Sequence, residues 1–212
     1  MIVSSVHLLG KTGLTLPGVP SPTDRQRLAE FKHKTGRPIH HFTENSMPPA
    51  PLIDPAKLDF SNIVADQASI RLRNRQRFEM EQITAIILED QENHLVVGYK
   101  DVKDDEFWVR GHMPDYPLMP GVMICEVAAQ LASYYSHHLA GPGRFIGFGG
   151  MEEIRFRGTV RPGDRLVMIA KASRLHPRQT IFETQGFVED QMVYHGKIIG
   201  LTLPIINAVE TV

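Results

Sequence analysis

Residues 122–132, VMICEVAAQLA, constrain the fold of this chain more than any other stretch. They are apolar or small at nearly every position and predict a helix, interrupted only by Glu126 and Gln130. A helix that is apolar on all sides belongs in the middle of a protein, where other elements surround it. Because carboxylates are rarely buried without compensation, Glu126 predicts a special environment. The two polar residues are four apart and therefore lie on the same side of the helix.

A turn-rich loop precedes this helix and carries one histidine, His112, between Gly111 and Met113. The loop passes through Pro120-Gly121 into the helix. A buried acid, a neighbouring amide and a nearby histidine together predict a functional site. We interpret Cys125, which lies inside the apolar helix, as a packing residue.

Composition excludes several classes of protein. The chain has 212 residues, 42% hydrophobic and 22% charged, with a net charge of −1, which is ordinary for a globular protein. This charge gives no reason to expect nucleic acid or an anionic membrane as a partner. The single cysteine fits a reducing compartment. The start of the sequence is a poor signal peptide and no run reaches the roughly twenty apolar residues of a spanning helix, so we expect a cytoplasmic protein.

The amino-acid composition of the chain changes near residue 60. Residues 1–60 are rich in proline and glycine and predict an N-terminal extension with one short helix at residues 23–34. Residues 61–212 predict a globular domain, with a further helix within residues 61–75.

Runs of β-branched and apolar residues flank the central helix. Residues 83–88 and 94–102 predict a hairpin before it, and Arg161 to Asp164 predict a turn with Pro and Gly at its central positions. Four further strands are predicted after the helix, at residues 145–156, 166–172, 180–188 and 191–203. The order predicts an α+β fold in which an antiparallel sheet wraps one helix, with a sheet edge that a second copy could complete.

Three segments resemble one known family. Residues 111–130, GHMPDYPLMPGVMICEVAAQ, resemble the central motif of the (3R)-hydroxyacyl-acyl-carrier-protein dehydratases, with the histidine and the glutamate in register. Residues 156–166, FRGTVRPGDRL, and residues 72–78, LRNRQRF, fall where that family has F-R-x-x-V-x-P-G-D-x-L and L-P-H-R-Y-P-F. The resemblance covers roughly residues 70–204. It implies a hot-dog fold and a hydro-lyase of fatty acid biosynthesis that needs no metal or dissociable cofactor.

The residues suit the chemistry that the resemblance implies. Removing water from a 3-hydroxyacyl thioester needs a base for the C2 proton, an acid for the C3 hydroxyl and donors for the thioester oxygen. We expect His112 to be the base, since imidazole exchanges a proton near neutral pH, and Glu126 to be the acid. Gly121 and Val122 would offer free backbone N–H groups at the helix start, and Gln130 would orient Glu126.

Other positions have subsidiary predicted roles. Met113, where the family has phenylalanine, and Pro120 are predicted to line the pocket. Residues 73–77 depart from the family pattern, with Gln76-Arg77 in place of the Tyr-Pro associated with gating the acyl tunnel. This departure leaves the acyl chain length open. An acidic carrier protein would meet Arg155, Arg157 and Arg161, unless these residues only form a solvated strand face.

The resemblance also implies partners. They are an acyl carrier protein and a second copy of this chain, with His112 and Glu126 meeting from opposite subunits. Three such dimers would form the hexamer that the family suggests. Two alternatives stay open at this point, a hot-dog acyl thioesterase and a non-catalytic acyl-binding or scaffold protein that kept the fold.

Overall fold

The apolar run of the sequence forms the long helix α2 (Gly121–Ser136) in a computed structural model that describes residues 47–205. A shorter helix, α1 (Gln67–Arg73), precedes it, and the Asp66 carboxylate caps α1 by accepting a hydrogen bond from the Ser69 N–H at 2.8 Å. Single turns of 3₁₀-helix occur at Pro55–Lys57, Phe78–Met80 and His137–Leu139. Both predicted helices of the globular part are therefore present.

Six strands form one antiparallel sheet. They are β1 (Ala85–Asp90), β2 (Leu95–Asp101), β3 (Arg144–Phe156), β4 (Arg165–His176), β5 (Gln179–Val188) and β6 (Gln191–Pro204). Their order across the sheet is β1-β2-β4-β5-β6-β3, which confirms the predicted hairpin and the four later strands. Gly163 adopts a φ of 93° in the predicted turn before β4, a conformation that favours glycine.

The main core lies between α2 and one face of the sheet. Leu131 and Ala128 on the helix are completely buried against side chains from β2, β4, β5 and β6. Alternate residues of β2 point to opposite faces, so Val96 joins this core while Val97 joins a second one. Both faces of the sheet centre are covered, which explains why β2 reads as a continuous apolar run.

Residues 48–60 cover the second core. The side chains of Leu52, Ile53, Leu58 and Phe60 pack on the outer face of the sheet. The buried Gln185 holds this segment, because its Oε1 accepts from the Leu52 N–H at 2.8 Å and its Nε2 donates to the Ala50 carbonyl at 3.0 Å. These contacts join residues 48–60 to the sheet, and the predicted boundary after residue 60 stays a prediction.

The two edges of the sheet differ. On the outer side of β1, the chain at Val64 and Ala65 bonds to Ile86. Within residues 47–205, strand β3 pairs with β6 alone and exposes large apolar side chains, with Phe148 and Phe156 each about half exposed. A long edge strand with exposed apolar residues is a natural surface for pairing.

Some predictions fall outside the described residues. The helix predicted at residues 23–34 and most of the predicted extension lie there. Within residues 47–205, none of the helices has the length and apolar character needed to cross a membrane.

We expect Gln185→Leu to lower the free energy of unfolding by about 1–3 kcal/mol, because the Leu52 N–H and the Ala50 carbonyl, whose hydrogen bonds are part-buried, lose their partners. Chemical denaturation with and without the substitution measures this change. Gln179→Leu, on the same strand but away from the segment, is the matched control. Equal unfolding free energies for Gln185→Leu and wild type would show that the hydrogen bonds of Gln185 do not contribute to stability.

Candidate active site

Glu126 lies on the first half of α2 and is partly buried. Its Oε1 accepts a hydrogen bond from Gln130 Nε2 at 2.7 Å, one turn further along the helix. The sequence predicted a buried acid beside an amide, and the fully buried member is the amide of Gln130, which is 2% exposed. Glu126 itself departs from the prediction, because its side of the helix borders an open cavity.

Every polar atom of the Gln130 side chain makes at least one hydrogen bond. Its Nε2 also donates to the Met80 carbonyl at 2.7 Å, and its Oε1 accepts from the Gln82 N–H at 2.9 Å. One amide therefore connects α2 to residues 80–82 while holding the Glu126 carboxyl. The hydrogen bond between Gln130 and Glu126 has the geometry that the predicted orienting role requires, and the role itself stays a prediction.

The cavity beside Glu126 has a volume of about 710 Å³. Its walls include the α2 side chains Glu126, Ala129 and Ser133, His137 in the 3₁₀ turn after α2, residues 71–77, and residues 144–148 of β3. Burial lowers the pKa of His137, and the nearby Arg73 lowers it further. Among the described residues Glu126 is the single carboxylate of the lining, which otherwise carries several arginines.

His112 is held by the loop before α2. Its ring Nδ1 lies 2.9 Å from the Leu118 carbonyl, and its own carbonyl accepts from the Leu118 N–H at 3.0 Å. A carbonyl can only accept, so Nδ1 carries the hydrogen of the neutral ring and Nε2 keeps the lone pair. The neutral ring of His112 therefore offers a base at Nε2.

The start of α2 leaves backbone donors open. The Met123 and Ile124 N–H groups bond back to the Pro120 carbonyl at 2.8 and 3.3 Å. No acceptor within residues 47–205 meets the N–H groups of Gly121 and Val122, as expected for the first turn of a helix. A side chain at Gly121 would place its Cβ 2.7 Å from the Phe156 ring, so glycine permits this close approach.

The structure does not bring every predicted site residue together within one chain. Glu126 and Gln130 are in contact, but His112 is absent from the described lining of the cavity beside Glu126. Met113 and Pro120, which we predicted to line the pocket, are also absent from this lining, and Met113 is 52% exposed.

Sequence reasoning missed the contribution of residues 74–82. The Gln76 amide reaches Glu126 Oε1 at 3.4 Å, and the Asn74 amide donates to the Gln130 carbonyl at 3.0 Å. The available signal was the departure from the family pattern at residues 73–77, which we interpreted only as a changed gate.

Comparison with known proteins identifies the family of this chain. A model of the FabA-like domain matches residues 74–197, which include His112 and Glu126. The 3-hydroxyacyl-acyl-carrier-protein dehydratase FabZ of Syntrophobacter fumaroxidans is 36% identical over 106 residues, which are 49% of this chain and 72% of the relative. FabZ of Streptococcus suis is 34% identical over 113 residues, which are 53% of this chain and 80% of the relative.

Solved structures show the same fold. The dehydratase heterocomplex ApeI:P of Xenorhabdus doucetiae has a TM-score of 0.54 at 13% identity, over 63% of this chain and 90% of that one. The virulence protein Cj0977 of Campylobacter jejuni has a TM-score of 0.52 at 17% identity, over 69% and 96%. These likenesses and the wrapped helix confirm the α+β hot-dog fold, and by the sequence match the chain belongs to the FabA-like family.

Proposed function

We propose that this protein is a hydro-lyase that converts (3R)-hydroxyacyl thioesters on acyl carrier protein to trans-2-enoyl thioesters in fatty acid biosynthesis. Its FabZ relatives are named 3-hydroxyacyl-acyl-carrier-protein dehydratases. The observation that carries the proposal is the His112 ring, whose Nδ1–H donates to the Leu118 carbonyl and leaves Nε2 as a base. The cytoplasm is the proposed compartment, since Cys125, the single cysteine of the sequence, is a free thiol.

In the proposed reaction, His112 Nε2 takes a proton from C2 of the substrate. The C3–oxygen bond then breaks, and the leaving hydroxyl takes a proton from the Glu126 carboxyl and departs as water. The electron pair of the former C2–H bond forms the C2–C3 double bond, and the proton on His112 later returns to Glu126 through solvent. Correctly positioned acid and base groups each contribute on the order of 10²–10⁴ in rate.

The start of α2 is the proposed site for the thioester oxygen. Negative charge grows on this oxygen as the C2 proton leaves. The N–H groups of Gly121 and Val122 have no acceptor within residues 47–205, and the dipole of the 16-residue helix favours negative charge at this end. One such donor aimed at an oxyanion contributes on the order of 10²–10³ in rate.

The active site is proposed to need two copies of the chain. His112 is outside the described lining of the cavity that Glu126 borders, which supports a site that takes its acid from one subunit and its base from the other. The β3 edge, with its exposed Phe148 and Phe156, supplies a surface for a symmetric dimer. The assembly of three dimers into a hexamer stays a prediction.

The acyl chain is proposed to arrive on an acyl carrier protein. Arg161 is exposed, and its guanidinium lies 4.3 Å from the Tyr116 ring in the loop that carries His112. Arg155 is also exposed, on the neighbouring β3 strand. These cations place positive charge beside the proposed site, which suits an acidic carrier.

We expect purified protein to convert a 3-hydroxyacyl carrier-protein substrate to the conjugated enoyl product, measured by absorbance and mass spectrometry. His112→Ala and Glu126→Gln should each lower kcat by about 10²–10⁴-fold, because each removes one proton-transfer group. The matched controls are His176→Ala and Glu183→Gln, which make the same changes at exposed residues of β4 and β5 outside the cavity lining. Release of free acid would indicate a thioesterase, and binding by wild type without turnover would indicate a scaffold; either result would refute the dehydratase.

We expect a mixture of inactive His112→Ala and Glu126→Gln proteins to recover activity after dissociation and reassociation. A mixed dimer has one site with both functional residues, and random pairing makes half of the dimers mixed. The mixture should therefore reach about a quarter of the wild-type rate. Either variant treated alone is the control, and a mixture as inactive as its components would show that each site is built from one chain.

A further inference from the structure

The Glu126 carboxyl is approached by a second amide besides that of Gln130. Gln76 Nε2 lies 3.4 Å from Glu126 Oε1, the same oxygen that accepts from Gln130 Nε2 at 2.7 Å. We propose that Gln76 is a positioning residue for the dehydration reaction. From the segment after α1, it holds the Glu126 carboxyl of α2 in one orientation. This inference rests on the proposed function and adds to it a residue from a separate part of the chain.

The segment that carries Gln76 is built to hold a fixed position. The Arg77 guanidinium donates to three backbone carbonyls, those of Asn74 at 2.9 Å, Gln76 at 2.6 Å and Arg71 at 3.1 Å. The buried Asn74 side chain donates to the Gln130 carbonyl at 3.0 Å, which ties the segment directly to α2. The loop therefore presents Gln76 to Glu126 from a backbone that is fixed at both ends.

Two donors on one oxygen have a chemical consequence. An amide N–H can only donate, so Oε1 uses its lone pairs as an acceptor and is a poor position for the carboxyl proton. Glu126 Oε2 has no hydrogen-bond partner within residues 47–205. The proton that reaches the leaving hydroxyl is therefore carried on Oε2, and the two glutamines prevent the carboxyl from rotating its two oxygens.

The two amides contribute unequally. Gln130 is 2% exposed, makes a short bond and is itself held by two further bonds. Gln76 is only half-buried, and its bond to Glu126 is long. Removing the Gln76 amide should accordingly cost less activity than removing that of Gln130.

The test is steady-state kinetics of Gln76→Met, which keeps the length of the side chain and removes the amide. We expect kcat to fall by about fivefold with KM within about twofold of wild type, since the bond orients the acid rather than binding the acyl chain. Gln76→His keeps a ring N–H donor and should restore most of the loss. Gln91→Met is the matched control, because the Gln91 amide donates to Glu89 at 2.8 Å instead of Glu126.

A double substitution separates positioning from packing. If both amides act on one carboxyl oxygen, the loss in Gln76→Met combined with Gln130→Met should be smaller than the product of the two single losses. Three results would overturn the inference and leave the dehydratase proposal intact. The first is a double-variant loss equal to the product of the two single losses. The others are a Gln76→Met variant with the kcat of wild type, and equal losses of kcat in Gln76→Met and Gln76→His. Folded wild-type protein without enoyl formation would instead refute the proposed function, and the role of Gln76 in that reaction with it.

Discussion

The hydrogen bonds of Gln130 are the interaction on which the candidate site depends. This amide is buried in an otherwise apolar helix, where an unsatisfied polar group costs about 1–3 kcal/mol. Its two N–H groups donate to the Met80 carbonyl and the Glu126 carboxyl, and its oxygen accepts from the Gln82 N–H. The same three contacts that offset the cost of burying the amide also hold the Glu126 carboxyl and residues 80–82 in position.

The apolar character of α2 and the layers of the sheet follow from one packing arrangement. The helix buries its surface because β2, β4, β5 and β6 curve around it, and their alternate side chains fill the space between. The outward side chains of the same strands would expose a second apolar face. Residues 48–60 cover part of that face and are fixed there by Gln185, so the segment that the sequence marked as an extension belongs in part to the core.

The arrangement of the candidate site supports the proposal that two copies of the chain complete it. Glu126 and its two amides border a cavity formed by α2, residues 71–77 and the edge strand β3. His112 is held by the loop before α2 and is not among the described lining residues of that cavity, and its Nδ1 contact leaves Nε2 as the base. In the proposed dimer, a two-fold axis would bring the His112 of one subunit to the Glu126 of the other, and the open β3 edge would offer the surface for that contact.

Periodicity and motif determined much of this protein without a structure. A run of apolar residues broken by Glu126 and Gln130 predicted the central helix, and alternating strands with turn residues such as Gly163 predicted the sheet, because burial and local turn geometry are properties of short segments. Only the tertiary structure decided which residues from distant parts of the sequence are in contact, because local patterns carry no information about such contacts. The contact of Gln76 with Glu126 and the hydrogen bonds of Gln185 to residues 50–52 join residues far apart in sequence. Such pairs are fixed by the packing of the whole chain. The same packing leaves His112 out of the described lining of the cavity beside Glu126.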